Sequence, residues 1–366
     1  MFQLDLMNHV KRVRRAMEEL GGKAHIDTSD LSLDATIADR TLHFYPQFTR
    51  IKDNRRQYTY EFTDDIQVFN GWYPVLNKWW EFSSEKLKFK ELLMERGLRT
   101  PAYFLDKNAR PADVIIKHTT SSFGDGLRGP FKTVGEHAPE TLLKDGEYYE
   151  QFIFGSIVKI WYWNETPICL KLRDMPVLKG DGSSTVQQLL DNERAIIAKY
   201  HSDDWFDLQD WNVLYGLLDY QGTNANAILP HGRQVLIDYR YNHCWVRMTW
   251  VPDNALPTCG IQGLREQLNE AGRTLWNEIP DPMRQDTVYT VDAILDSRDS
   301  LWFLEMNSNP QVHPDIYLPM FRDLFSRPTA PSPIVDAPPK PMPALLPQMN
   351  WVPNGDSIYQ QVKGIA

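Results

Sequence analysis

The stretch VDAILDSRDSLWFLEMNSNP, residues 291–310, decides the predicted fold. Two runs of Val, Ile, Leu, Trp and Phe flank the polar residues 297–300, and this is the pattern of a β-hairpin. A loop of those four residues pairs position 296 with 301 and, further along the ladder, Asp292 with Glu305. The two acids would then face each other roughly 5 Å apart at Cβ.

Three oxygen-bearing side chains converge on one face of this predicted hairpin. Asn307 lies two residues after Glu305 and therefore points to the same face. Two carboxylates in apolar surroundings are costly unless they are paired, and a hard divalent cation removes that cost. We therefore expect Asp292, Glu305 and Asn307 to hold Mg²⁺ or Mn²⁺. The alternative is a solvated hairpin with incidental acids, but the flanks are apolar on both faces.

The length and composition indicate an ordinary globular protein. A chain of 366 residues is long for one core, so two or three subdomains are expected. The net charge of −9 argues against general affinity for nucleic acid or anionic membrane. Cys169, Cys244 and Cys259 form no disulfide or zinc pattern, which suits a reducing cytosol. We find no secretory signal and no apolar run of membrane-spanning length, so a cytoplasmic protein is predicted.

Periodicity and turn residues divide the chain into segments. Residues 1–80 are predicted to form a small α/β lead-in domain, and nine of the 25 prolines lie within the tail, 327–366. The segments 147–154 and 157–163 are predicted to pair as a hairpin through Gly155 and Ser156. Helices are predicted at 8–20, 85–96, 186–200 and 261–278, and other strands at 41–48, 58–62, 114–117, 168–172 and 235–239.

A candidate phosphate-binding loop follows the predicted strand 114–117. The strand ends on Lys117 and leads into the small and hydroxyl-rich segment 119–127. Backbone N–H groups in a tight loop form an anion nest, and a lysine adds charge. The sequence matches neither the P-loop nor the dinucleotide-binding glycine motif. A flexible surface loop is the alternative.

The order of these pieces along the chain resembles the ATP-grasp superfamily of carboxylate–amine ligases. The 291–310 hairpin resembles that of D-alanine–D-alanine ligases, whereas 176–186 and 228–242 resemble cyanophycin synthetases. The remaining matching pieces are Glu85-Lys86, 97–101, 116–126 and 150–155. The resemblance covers about residues 83–325. It implies an α/β fold with α+β subdomains, in which two mostly antiparallel sheet subdomains, 81–148 and 149–326, hold the nucleotide between them.

The resemblance also implies roles for individual residues. Lys86 and Lys117 would contact ATP phosphates, and Glu150 would bind the adenine amino group. A mobile loop containing Ser121, Ser122 and Gly124 would cover the phosphates. The backbone of Gln151, Phe152 and Ile153 would line the base. Mg²⁺ would be bound by Asp292, Glu305 and Asn307. The implied reaction forms an acyl phosphate that an amine then attacks, releasing ADP and phosphate.

Three positions depart from the D-alanine ligases. Ile157 stands where they have a ribose-binding Glu, Thr290 where they have an Arg, and Gln311 where they have a Gly. The positive charge for the acyl phosphate must then come from another residue. Arg240 is the first candidate, and the others are Arg173, Arg247 and Lys171.

The substrates themselves leave no signature in the sequence. The expected partners are ATP, a carboxylic acid and an amine such as an amino acid or peptide, with no nucleic acid and no membrane; a homodimer is left open. A small-molecule kinase built on the same ATP site is one alternative function. A catalytically inactive ATP-binding module is another, and the intact acids at 292 and 305 argue against it.

Overall fold

The computed structural model describes residues 2–52, 55–76, 78–119, 126–135, 138–201, 205–206, 209–241, 243–246 and 254–328. Ser121, Ser122, Gly124 and Arg247 lie outside these residues, as does the tail after residue 328. The helices in the described ranges are α1 (Phe2–Glu19), α2 (Lys86–Glu95), α3 (Val186–Ile197), α4 (Trp211–Tyr220), α5 (Leu264–Glu278), α6 (Asp281–Arg284) and α7 (Tyr317–Ser326).

The strands form four groups along the chain. They are β1 (Lys23–Ile26), β2 (Leu33–Ile37), β3 (Arg40–Lys52), β4 (Arg55–Thr59), β5 (Ile66–Tyr73), β6 (Tyr103–Phe104), β7 (Ala112–His118), β8 (Arg128–Thr133), β9 (Glu147–Gln151), β10 (Ser156–Trp163), β11 (Thr166–Asp174), β12 (Val177–Lys179), β13 (Gln234–Leu236), β14 (Val288–Leu295) and β15 (Leu301–Asn307). Every pairing among the described strands is antiparallel. The predicted fold class, α/β with mostly antiparallel sheets, is confirmed. None of the described helices combines the length and apolar composition that a membrane span requires.

The first sheet contains β1 to β5, and its core draws on both ends of the described chain. Phe44, Phe69 and Trp72 of this sheet are fully buried. They share a core with α1 and with α7, from which Tyr317 and Phe321 are also fully buried. The helix at the far end of the described chain therefore completes the core of the N-terminal sheet.

The second sheet has the strand order β6-β9-β7-β8, so β9 pairs with β6 and β7. The predicted hairpin between 147–154 and 157–163 is therefore wrong. A two-residue hairpin loop needs a positive φ, and neither Gly155 nor Ser156 has one. A Cβ at Gly155 would lie 2.0 Å from the carbonyl oxygen of Leu295. The chain thus passes from the second sheet to a third one at this glycine.

The third sheet has the order β11-β10-β14-β15 and contains the hairpin of 291–310. The predicted pairing of Asp292 with Glu305 is confirmed, but the predicted four-residue loop is wrong. Leu295 pairs with Leu301, and a β-bulge at Leu304 restores the alignment of the two acids. The loop is one residue longer than predicted because the side chain of Asp296 accepts hydrogen bonds from the backbone N–H groups of residues 298 and 300.

A smaller unit joins β12 and β13 with α3 and α4. The capping box of α3 is formed by Thr185 and Gln188. Helix α4, which the sequence analysis did not predict, begins after Asp210, whose carboxylate accepts from two backbone N–H groups. Its buried aliphatic residues lie at 213, 214, 217 and 218, which is helical spacing. Tyr220 of α4 donates a hydrogen bond to Asp113 of the second sheet at 2.7 Å.

Candidate functional site

The three predicted metal ligands lie together on one face of the third sheet. Asp292 and Glu305 are direct cross-strand neighbours, and Asn307 Nδ2 donates to Asp292 Oδ2 at 3.5 Å. Each acid also has a lysine. Lys159 Nζ lies 2.7 Å from Asp292 Oδ1, and Lys86 Nζ lies 3.6 Å from Glu305 Oε2. Lys86, which the resemblance implies as a phosphate contact, therefore lies beside the acid pair.

The surroundings act differently on the two acids. Burial raises the pKa of Asp292, Lys159 opposes that effect, and the nearby charge of Glu305 raises it further. Burial also favours a raised pKa for Glu305, but the ammonium groups of Lys86, Lys117 and Lys159 outweigh burial and lower it. The pair is therefore one carboxyl that holds its proton more readily than usual beside one that stays ionised.

This donor set fits a hard divalent cation. Two carboxylates face each other, and an amide flip at Asn307 would present its oxygen in place of Nδ2. Among the described residues, no cluster of three or more His, Cys, Asp or Glu side chains is suited to hold a metal. A cation at this site would therefore take two carboxylates and the amide oxygen of Asn307, and its remaining ligands would come from water or substrate.

A buried group of three charges lies at the second sheet. The carboxylate of Glu150, 2% exposed, receives Lys117 Nζ on one oxygen and Lys90 Nζ on the other, both at 2.8 Å. Tyr148 donates to Glu150 at 3.3 Å. Burial alone would raise the pKa of Glu150, but the two lysines outweigh burial and hold it at about 2. Glu150 is therefore a fully ionised carboxylate between two cations.

Sequence reasoning missed two lysines of this site. Lys90 is fully buried on α2, four residues after Lys86 and next to the core residue Phe89. Lys159 interrupts the apolar strand β10 and lies directly opposite Asp292. Two sequence features could have indicated them. Lys90 lies at helical spacing from Lys86, and Lys159 is a charged residue within an apolar strand.

The predicted base-lining residues join the second sheet to the third. Gln151 N donates to Ala102 O at 2.8 Å, and Gln151 itself is exposed. Phe152 is buried and packs edge-to-face against the rings of Tyr220 and Tyr239, at centroid distances of 5.7 and 5.1 Å. Ile153 packs at the edge of the same apolar cluster. These residues therefore border an apolar region between the two sheets.

Two of the three candidate arginines lie in the described part of the chain, and their surroundings differ. Arg240 donates through Nε and Nη2 to the two oxygens of the fully buried Asp238, at 3.0 and 2.7 Å. The guanidinium of Arg173 lies 5.7 Å from the ring centroid of Tyr241. The guanidinium of Arg173 forms no hydrogen bond or ion pair with a side chain in the described part of the chain. Nearby, Lys171 Nζ lies 5.5 Å from the ring centroid of Trp161.

The three departures from the D-alanine ligases lie around this site. Thr290 is fully buried, and its hydroxyl has no hydrogen-bond partner among the described residues. Ile157 is part of the apolar cluster between the second and third sheets. The carbonyl of Gln311 accepts from Trp161 Nε1 at 2.8 Å.

Comparisons with known proteins give structural similarities only. No protein-family model matches the sequence, and no curated protein does. A bifunctional glutathione synthetase from Pasteurella multocida is 14% identical, with a TM-score of 0.38, over 86% of this chain and 43% of that one. A D-alanine–D-alanine ligase from Bacillus anthracis, solved with ATP, is 12% identical, with a TM-score of 0.31, over 66% of this chain and 65% of that one.

An L-amino acid ligase from Bacillus licheniformis is also similar, at 12% identity and a TM-score of 0.27, over 62% of this chain and 40% of that one. The chain therefore spans less than two thirds of the length of each of these three proteins. Because the similarities are distant, the functional inference rests on the side chains described above.

Proposed function

We propose that this protein is an ATP-dependent carboxylate–amine ligase of the ATP-grasp type, which forms an amide bond through an acyl phosphate. The observation that supports this most directly is the acid pair Asp292 and Glu305 with Asn307 beside it and lysines around it. Carboxylates for a divalent cation and ammonium groups for phosphates are what bound MgATP requires. The two sets meet where the second and third sheets adjoin.

Each part of the site has a proposed task in binding the nucleotide. Lys86 and Lys117 bind the phosphates, and the loop with Ser121, Ser122 and Gly124 covers them. The adenine base is bound by Glu150 and by the segment of Gln151, Phe152 and Ile153. Because Lys117 also binds the phosphates, it gives up part of its contact with Glu150 when the nucleotide binds. Asp292, Glu305 and Asn307 hold Mg²⁺ or Mn²⁺, which neutralises charge on the transferring phosphoryl group.

The proposed reaction has two transfers. An oxygen of the substrate carboxylate attacks the γ-phosphorus of ATP, and ADP leaves. The amine nitrogen then attacks the acyl carbon, phosphate leaves, and the nitrogen loses a proton. Arg240, which Asp238 holds in a fixed orientation, is our first choice for the positive charge on the acyl phosphate. Arg173 is the second.

The test is release of ADP with Mg²⁺ and a pool of amino acids, with hydroxylamine added to trap the acyl phosphate as a hydroxamate. Hydroxamate and ADP in equal amounts support the ligase. ADP release with a stable phosphorylated product and no hydroxamate would replace it with a kinase. Tight ATP binding without any turnover would identify an inactive nucleotide-binding module.

A further inference from the structure

One face of the third sheet carries a row of four charged side chains, one from each strand. Glu305 pairs with Asp292, Asp292 with Lys159, and Lys159 with Lys171. The row runs from β15 through β14 and β10 to β11. Its β14–β15 half is acidic, and its β10–β11 half is basic.

The basic half places like charges together. Lys159 and Lys171 are directly opposite each other, an arrangement that destabilises an antiparallel pair. Arg173 lies two residues beyond Lys171 on β11 and so points to the same face. Asp292 compensates Lys159 at 2.7 Å, but that carboxylate is also a proposed metal ligand. A cation held there would add positive charge beside the three basic residues.

Two aromatic rings lie against these three cations. The ring of Tyr241 lies 5.2 Å from Lys159 Nζ and 5.7 Å from the guanidinium carbon of Arg173. The ring of Trp161 lies 5.9 Å from Lys159 Nζ and 5.5 Å from Lys171 Nζ. The rings thus bring the three cations into one patch, here called the basic patch (Lys159, Lys171, Arg173).

Arg173 is the member of the patch best suited to bind a ligand. It is partly buried, and its guanidinium lies against the ring of Tyr241 without a hydrogen bond or ion pair to a described side chain. Its planar group matches a carboxylate through two parallel hydrogen bonds. Lys171, directly across from Lys159, adds a second positive charge.

We propose that the basic patch binds a second carboxylate of the acid substrate, so that the substrate is a dicarboxylic acid. This rests on the proposed ligase function. The reacting carboxylate lies at the Asp292 end of the row, next to Lys159. The distal carboxylate lies over Lys171 and Arg173. Arg173 is the diagonal neighbour of Lys159 across the two strands, and the backbones of such residues are about 7–8 Å apart. The outer carboxylate oxygens of a chain of about five or six carbons, as in glutarate or adipate, are separated by about the same distance. Arg173 thereby becomes a specificity residue, and the acyl phosphate is left to Arg240.

The kinetic test compares acids of equal length in the hydroxamate assay with MgATP. Glutarate is expected to exceed pentanoate at least tenfold in kcat/KM, because pentanoate lacks the distal charge. In Arg173→Gln the ratio of glutarate to pentanoate is expected to fall at least tenfold, mainly through KM for glutarate. Arg173→Lys is expected to recover part of the ratio. Arg298→Gln, in the exposed hairpin loop, is the matched control and is expected to keep the wild-type ratio.

A binding test without ATP separates this proposal from the ligase function. Phenylglyoxal modification of Arg173 is followed by peptide mass spectrometry in the full-length protein. Glutarate is expected to slow the modification, and pentanoate at the same concentration is not. If glutarate protects Arg173 from phenylglyoxal but no acid gives a hydroxamate, the ligase function is wrong and the dicarboxylate site is retained.

Three results would overturn the dicarboxylate proposal while leaving the ligase intact. One is equal hydroxamate formation from glutarate and pentanoate. Another is an unchanged ratio in Arg173→Gln. The third is a clear preference for 3-phosphonopropionate over glutarate, in both turnover and protection, which would assign the patch to a phosphoryl group.

Discussion

At the scale of single residues, Glu150 shows how strongly this protein depends on paired charges. Its carboxylate is 2% exposed and lies between two lysines, one of which, Lys90, is fully buried. A buried charge that loses its partner costs more than the pair contributed. The effect of a substitution here is therefore set by the charges left behind.

Glu150→Gln is expected to lower the free energy of unfolding by about 3–5 kcal/mol, because Lys90 and Lys117 lose their shared counter-charge. Chemical denaturation at pH 7 measures the loss. Glu270→Gln, on the exposed face of α5, is the control and should cost under about 0.5 kcal/mol. A loss at Glu150 no larger than that of the control would contradict the charge cluster.

The same residue gives a pH dependence. The pKa of Glu150 is lowered from 4.5 to about 2 in the folded protein. The stabilisation is therefore complete above pH 4.5 and is lost as the pH falls towards 2. The difference in unfolding free energy between wild type and Glu150→Gln is expected to be largest above pH 4.5 and to shrink below it. A constant difference between pH 6 and 3 would show that Glu150 keeps no unusual pKa.

Glu305→Ala is expected to reduce kcat by at least about 10²–10³-fold, since it removes a proposed metal ligand and the counter-charge of Lys86. ADP release with saturating MgATP measures it. Glu270→Ala, remote from the site, serves as the control. Near-normal turnover in Glu305→Ala would remove the metal assignment.

How far the sequence predicts the site differs from residue to residue. Asp292, Glu305 and Asn307 lie within one hairpin, so alternation along two neighbouring strands was enough to bring them together. Lys90 and Lys159 are distant in sequence from the acids they pair with. A buried lysine is recognisable only once its partner is known, and that partner depends on how the sheets pack.

At the scale of elements, the 291–310 hairpin shows why a register is harder to predict than a pairing. The sequence correctly predicted that Asp292 pairs with Glu305. The loop, however, is one residue longer than predicted, and the bulge at Leu304 compensates for the extra residue. Two errors in the predicted register therefore cancelled at the acids. Nothing in the apolar flanks marks where a bulge inserts a residue.

Gly155→Ala tests the passage from β9 to β10. The added Cβ would lie 2.0 Å from the carbonyl oxygen of Leu295, a backbone atom that cannot move away by changing rotamer. We expect the substitution to lower the free energy of unfolding by about 1–3 kcal/mol. Gly260→Ala, where nothing lies within 4 Å, should be nearly neutral. Equal stability of the two variants would contradict the close approach.

At the scale of the whole molecule, the first sheet is not finished by the residues around it in sequence. Its core takes Tyr317, Met320 and Phe321 from α7. Trp163 and Val288 of the third sheet join the same core. The sequence separated residues 1–80 as a lead-in segment, but packing between distant segments has no local pattern, so the contribution of α7 was not predictable.

A fragment of residues 1–80 is therefore expected to remain unfolded on its own. It would expose the fully buried side chains Phe44, Phe69 and Trp72, which α7 covers in the whole protein. Amide dispersion in NMR spectra measures this. Addition of a peptide spanning residues 312–328 is expected to increase the dispersion. A well-dispersed spectrum from the fragment alone would contradict the shared core.

The shared core also has a consequence during synthesis on the ribosome. Roughly 240 residues separate Tyr73, at the end of β5, from Tyr317, at the start of α7. Translation at about 5–20 residues per second takes about 12–50 s to cover that distance. For that time the apolar face of the first sheet has no helix to cover it. The nascent chain is therefore a client for a chaperone that binds apolar segments, until α7 leaves the exit tunnel.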